Sequence, residues 1–537
     1  MRYLFLLGIL YNVTVFAQQP SKEDKKALAN IKAAITFLAD DKLEGRRTGT
    51  IGEKLAYQYI EAQFKETGLQ TFLATQSYIQ PFEVNEGKEI GNENYFVIGD
   101  ILYDLEKEAF PFPFSGNVKD ENVKLLAGKV TTIDLANILN ENVNNPHFSL
   151  NDYVYDQAKK AVSDNMALVI FKNTGTIKDG LTFDGRDKQT KLPIPVIYLT
   201  KQIAEQLGDN KYNSTLNILI KEKKRIGHNV VGYINNKAKS TIILGAHYDH
   251  LGYGEDHNSL YSGSSSAIHN GADDNASGTA ALLALGKWLK KAGLKNYNYI
   301  LVSFSGEELG LYGSKYFVDN SGLNLASINY MINMDMVGRL NDSTHGLTIG
   351  GYGTSPSWGK LIKKENNYFK LNLDSSGSGP SDHTSFYRKD VPVLFFFTGS
   401  HSDYHKPTDD AYKINYEGEL KIIKYIQTIL SQTDAMDKLS FTKTREVSMG
   451  KSSFKVSVGI MPDYSYTGNG VRVDGVSENK PAQKAGVLTG DVLVQLGDYK
   501  FSDVQSYMGV LNKFEKGQST QLKLLRGKDE IMLPITF

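Results

Sequence analysis

The sequence predicts an α/β fold, a mixed sheet flanked by helices, and three observations carry that prediction. From about residue 228 onward, apolar strand-like runs alternate with helix-like ones. Several of the apolar runs turn abruptly polar at their C-terminal end, as buried strands do when they surface. Those polar ends carry His, Asp or Glu, in the place where an open α/β sheet gathers its ligands.

The first such run is TIILGAHYDH, apolar from Thr241 to Leu244 and then polar. His247 and Asp249 are two apart, so on an extended strand they point to one face. That spacing suits an aspartate that accepts from the second ring nitrogen of the histidine and fixes its tautomer. GADDNASG at 271–278 is a polar turn followed by an Ala/Leu-rich run, so it opens a helix with Asn275 or Ser277 available as a cap. YNYILVSFSGEELG is a second apolar run, ending in the adjacent carboxylates Glu307 and Glu308. At the exit of a buried strand, one glutamate can bind a metal while its neighbour takes a proton from water. YMINMDMVG sets Asp335 among methionines, where a buried carboxylate needs a partner and a cation is the simplest one. VPVLFFFTGSHSDYH emerges into His401, Tyr404 and His405. The inventory of histidines and carboxylates suits a pair of divalent ions, zinc foremost, with a general base beside them.

The order HxD, GADDNASG, GEELG, NMDMVG and YHKPTD resembles the M28 family of co-catalytic zinc aminopeptidases and carboxypeptidases. The likeness spans about 228–435 and extends to FLADDKLEGRRTGTIGEKLAYQYI at 37–60, similar to the family's opening helices. It implies a zinc-exopeptidase-type sheet and two zinc ions. His247 and Glu308 would serve separate metals and Asp274 would bridge them. Asp335 would complete the first set and His405 the second. By the same resemblance Glu307 is the general base, Asp249 orients His247, and Tyr404 steadies the oxyanion. The family pattern gives the ligand role to His247 and not to His250. Between His250 and Asn270, His257 and His269 read as surface-loop residues, and in SGPSDHTSFY Asp382 and His383 read as residues that fix a loop.

Composition narrows the rest. Lysine plus arginine equal aspartate plus glutamate at 60 each, so no global field points to nucleic acid or an acidic membrane. Cysteine is absent, which removes thiol nucleophiles, zinc-thiolate sites and disulfides together. Arg2 precedes an apolar run closing on Val15-Phe16-Ala17, a pattern expected of a signal peptide over 1–17. Later runs fall short of the length needed to cross a bilayer. The chain is therefore expected to be exported, periplasmic or secreted, with no stable membrane anchor.

Two further segments stand outside the metal series. Residues 90–222 carry their own strand-like runs, MALVIFKN and LPIPVIYLT among them, a helix candidate at 200–207, and a lone His147. AGKV and IPVIYLT resemble a protease-associated (PA) domain inserted into a catalytic domain of 22–89 and 223–435. After a connector at 436–451, residues 452–537 resemble a PDZ domain, most specifically in PAQKAGVLTGDVL, where Pro481 opens a short helix and Gly486 and Gly490 allow tight turns. Gly459-Ile460-Met461 takes the place of the loop whose backbone N–H groups capture a peptide C-terminus. The expected activity is removal of N-terminal residues from peptides. The alternatives are a carboxypeptidase or dipeptidase of the same family, for which Arg339 is the arginine nearest a motif, and an inactive peptide-binding protein working through its PA and PDZ domains.

Overall fold

A computed structural model describes residues 21–537 apart from short stretches, the longest being 123–128, 208–213, 445–455 and 463–468. The expected signal peptide, His147, His257 and part of the expected connector lie outside the described residues. Among the described residues no helix is long and apolar enough to cross a membrane.

The chain divides into two compact units, Glu83–Gly227 and the remainder. The larger unit is organised by an eight-stranded mixed sheet. Its order is Ile79–Ile90, Ile220–Ile234, Asn298–Phe304, Thr241–His247, Ile328–Met334, Val393–Phe397, Gly346–Gly350 and Lys370–Leu373. The four strands from Asn298–Phe304 to Val393–Phe397 run parallel to one another, while Ile220–Ile234 and Gly346–Gly350 flank them antiparallel. Three of the parallel strands are buried at every position, which explains their nearly unbroken apolar sequence. Successive residues still face opposite ways. Ile242, Leu244 and Ala246 join the larger core cluster, while Ile243 packs with Ile300, Val302, Phe304 and Phe317 on the other side.

Helices cover these faces, and their ends are written locally. Ile51–Thr67 starts at Thr50, whose side chain accepts from Glu53 N, and stops at Gly68, φ 74°. Gly278–Ala292 presents Leu282, Leu285 and Leu289 to the core and ends at Gly293, φ 73°. Of the two cap residues expected for it, Asn275 is the one that works: its Oδ1 accepts from Gly278 N at 2.9 Å. Ser277 instead turns its hydroxyl back onto Asp273.

Within the same unit a six-stranded antiparallel sheet follows. It starts at Ile460–Pro462 and continues through Val471–Val476, Val492–Leu496, Ser519–Arg526 and Asp529–Thr536, with Tyr499–Lys500 beside the third. Pro481 opens the helix Pro481–Ala485, and Gly486 closes it at φ 86°. Val458, Val471, Leu493, Leu496, Leu522 and Leu524 form its own core.

The unit Glu83–Gly227 holds two four-stranded sheets, one of them ordered Ala109–Pro111, Val196–Leu199, Leu168–Lys172 and Val130–Asp134. Its helices include Leu150–Ser163 and Lys201–Leu207.

Candidate metal centre

The C-terminal ends of the parallel strands converge on one cavity of about 300 Å³, whose walls include His247, Asp274, Glu307, Glu308, Asp335, Tyr404 and His405. His247 is the last residue of its strand, Asp335 follows Met334 directly, and Glu307 and Glu308 lie just past Phe304. Asp274 comes from the turn before the helix Gly278–Ala292 and His405 from the segment after Val393–Phe397. Backbone strain marks the same place. His405 at φ 54° and Met336 at φ 53° both occupy the left-handed region that side chains rarely adopt.

Donor atoms fall into two groups that share Asp274. His247 Nε2 stands 3.4 Å from both Asp274 Oδ1 and Asp335 Oδ1. His405 Nε2 stands 3.3 Å from Asp274 Oδ2 and 3.2 Å from Glu308 Oε2. Ligands bound tetrahedrally at about 2.0–2.1 Å lie about 3.3 Å from one another, so the histidine–carboxylate distances in both groups match those of a zinc site. Each oxygen of Asp274 serves a different histidine, as a bridging carboxylate requires. His/carboxylate donors of borderline softness suit zinc chemically as well.

The electrostatics agree with a cation. Burial alone would pull the imidazolium of His247 down, yet Asp335 and Glu307 opposite hold it well above the usual histidine range. His405 behaves alike: burial opposes its charge, and Glu308 and Asp274 together outweigh that. Burial raises Glu307 well above the ordinary carboxylate range, with Asp382, Glu308 and Asp335 adding to it and His247 opposing. Burial, then Asp274 and Glu308, push the Tyr404 phenol well above its ordinary value, so it remains a proton donor. Its ring stacks on that of His405 at 3.9 Å.

Asp249 departs from the expected geometry. The nearest acceptor to His247 Nδ1 is the backbone carbonyl of Asp249 at 3.2 Å, and the carboxylate is 3.7 Å away. Its oxygens are engaged by Glu307 N at 3.3 Å and the Thr48 hydroxyl at 2.9 Å, because the chain turns directly after the strand and carries the side chain toward the Glu307 loop. One residue thus braces both His247 and Glu307.

His250 and His269 also differ from their sequence reading. His250 is fully buried, and its Nδ1 lies 2.8 Å from Glu308 Oε1 and 3.9 Å from Asp274 Oδ2. With those two carboxylates it forms a group able to hold an ion, so it belongs to the centre set aside for His247. The sequence reading set it aside because the family pattern gives the ligand role to His247. His269 is 1% exposed, not a surface residue; its Nε2 meets the Ser259 hydroxyl at 2.7 Å and its Nδ1 the Ala267 carbonyl. Asp382 is buried, and burial raises it to about 7. His383 lies against Phe395, ring centroids 4.6 Å apart.

Several supports carried no sequence signal of their own. Arg46 is wholly buried and donates to the carbonyls of Tyr248, Leu38, Asn270, Gly271 and Asp274, tying the first metal motif to the second. Asp409 accepts from Asp273 N at 2.9 Å and Asp274 N at 3.0 Å, which fixes the bridging turn. Glu53 accepts from the hydroxyls of Ser305 at 2.6 Å and Tyr248 at 3.2 Å. The Ser381 hydroxyl donates to Asp335 Oδ2 at 2.7 Å.

Residues 229–430 match the family model described as peptidase family M28. This chain carries a peptidase family M28 domain. Residues 439–536 match a PDZ domain. Among curated relatives, leupeptin-inactivating enzyme 1 of Streptomyces exfoliatus is 31% identical over 195 residues, 35% of this chain and 39% of that protein. Aminopeptidase YwaD of Bacillus subtilis is 25% identical over 280 residues, 49% of this chain and 56% of that one. The chain thus spans well under two thirds of the length of these relatives. A solved zinc aminopeptidase from Bacillus subtilis aligns with 78% of this chain and 98% of its own at 19% identity and a TM-score of 0.43.

Proposed function

We propose that the M28 domain is a dinuclear zinc exopeptidase that removes residues from the free N-terminus of peptides. The observation that carries this reading is the pair of donor groups sharing Asp274 at zinc-like spacing. In this reading His247, Asp274 and Asp335 hold one ion and His405, Asp274 and Glu308 the other, with His250 beside the second. When bound, such ions lower the pKa of a shared water and polarise the scissile carbonyl.

The chain's own residues do the rest. Glu307 takes the proton of the attacking water at its carboxylate and delivers it to the departing amine. Asp249 holds the Glu307 backbone through its N–H. The phenol of Tyr404 donates to the developing oxyanion, a contribution of about 10²-fold or more. The surrounding carboxylates receive the substrate's α-ammonium. An aminopeptidase is favoured over a carboxypeptidase because Arg339 is already committed, with Nη2 3.1 Å from Asp403 and Nη1 3.9 Å from Asp409. We read Glu83–Gly227 as the PA-like insert, and the leader-like residues 1–17 support export to a periplasm or beyond.

The direct test compares two variants for metal content and turnover. Glu307→Gln retains both zinc equivalents and loses about 10²–10⁴-fold in kcat. Asp274→Asn loses metal and activity together. A Glu307→Gln enzyme with undiminished turnover would remove the general base from this account.

A further inference from the structure

The cavity that holds the metal-site donors is not closed by the M28 domain alone. Ile460 and Pro462 of the PDZ domain line the same space as His247, Glu307 and His405. Both belong to the strand Ile460–Pro462, whose pairing is irregular between Met461 and Pro462, and both reach the cavity wall. That strand is the first in the order of its sheet and, among the described residues, pairs with Val471–Val476 alone. Its position matches the strand on which PDZ domains receive a peptide by strand addition.

We propose that this strand is a wall of the substrate pocket, so that the PDZ domain acts within its own chain to select short peptides with a bulky apolar residue at the cleaved end. The inference rests on the peptidase reading above and adds the substrate class to it. Three features argue for it. Beside the polar donors, Leu260, Met336, Phe395 and Phe397 join Ile460 and Pro462 to supply apolar surface to the cavity. A side chain such as leucine is stabilised by burial against such surface, and a charged one is not. A volume of about 300 Å³ is at the lower limit of ligand pockets. It accommodates a few residues of substrate, not a long chain. Pro462 also lacks an N–H, so the strand's free edge cannot offer a continuous hydrogen-bond ladder to a long peptide. Its contribution is therefore mainly through side chains, and the occupant is the substrate itself because the space is continuous with the metal centre.

The absence of cysteine permits a clean test. In full-length Glu307→Gln protein carrying Ile460→Cys, the new thiol is the only one in the chain. A leucyl tripeptide with a free N-terminus slows its alkylation, a glycyl tripeptide does so much less, and neither affects Leu488→Cys, placed at a PDZ position 54% exposed. In the otherwise unaltered enzyme, Ile460→Ala lowers the leucyl-over-glycyl ratio of kcat/KM by about tenfold or more. Hydrolysis by the parent enzyme with an unprotected Ile460→Cys thiol overturns this inference and leaves the peptidase reading standing. No hydrolysis of any peptide by the parent enzyme removes the peptidase reading and the inference with it.

Discussion

At the residue scale, the centre depends on groups that touch no substrate. Arg46 is a cation enclosed by protein whose guanidinium satisfies carbonyls from three separate segments. Burial lowers it to about 10, while Asp274, Asp409 and Asp249 draw it up, so it remains charged. Arg46→Met leaves those carbonyls unpaired in a dry site, and we expect a loss of about 3–5 kcal/mol in denaturant unfolding. A loss below about 1 kcal/mol would show that the carbonyls find other partners. The donor residues themselves were legible in the sequence because each follows an apolar run or, for Asp274, sits in the polar turn that opens a helix. Arg46, Asp409 and His250 were not, since their roles follow from long-range proximity: Arg46 lies 225 positions from Gly271 in sequence and bonds it directly. His269 was misread for the same reason. Its loop is Ser/Gly-rich, a local sign of exposure, but the chain folds it under and seals it with Ser259.

At the element scale, the turn 271–277 sets where Asp274 stands between His247 and His405. Gly271 sits at φ 56°, and a Cβ there would meet the Asp274 carbonyl at 2.2 Å and the His250 ring at 2.5 Å. Gly271→Ala should therefore cost at least about 1–3 kcal/mol and weaken zinc retention in dialysis, whereas unchanged metal content would mean that the turn tolerates the shift. The PDZ domain has its own electrostatic clasp. Asp491, buried, receives Arg526 at 2.8 Å through both nitrogens and Leu488 N at 2.9 Å. Burial alone would raise its carboxyl, but Arg526 and Leu488 outweigh that and hold it below the usual range. Its stabilisation is thus present above the unfolded value near about 4 and is lost as pH falls through the depressed folded value. Asp491→Asn should melt a few degrees lower at neutral pH, with the gap closing below about pH 4. A gap that persists there would point to packing in place of charge. The strands and helices around these features were readable from period and punctuation, as in Pro481 and Gly486 bounding one short helix. The bend that sends Asp249 toward Glu307 was not, because it depends on contacts with Thr48 from the far N-terminal segment.

At the scale of the whole molecule, one sheet carries His247, Glu307, Glu308, Asp335 and His405 at or beyond the C-terminal ends of its parallel strands, with Asp274 in the turn that opens the helix Gly278–Ala292. That is why the fold class and the centre could be anticipated together. The participation of the PDZ strand in the pocket could not be, since no local pattern in Gly459-Ile460-Met461 distinguishes a free groove from one turned toward another domain. The central claim is that the two donor groups make a metal exopeptidase acting from the N-terminus. Its most direct measurement is a mass-spectrometric digest of one peptide with a free and with an acetylated N-terminus. It is run with zinc, after chelation, and with Glu307→Gln. Stepwise shortening of the free form alone, abolished by chelation and by the substitution, is the predicted result. Equal trimming of the acetylated peptide from its C-terminus, or no trimming of either, would contradict it.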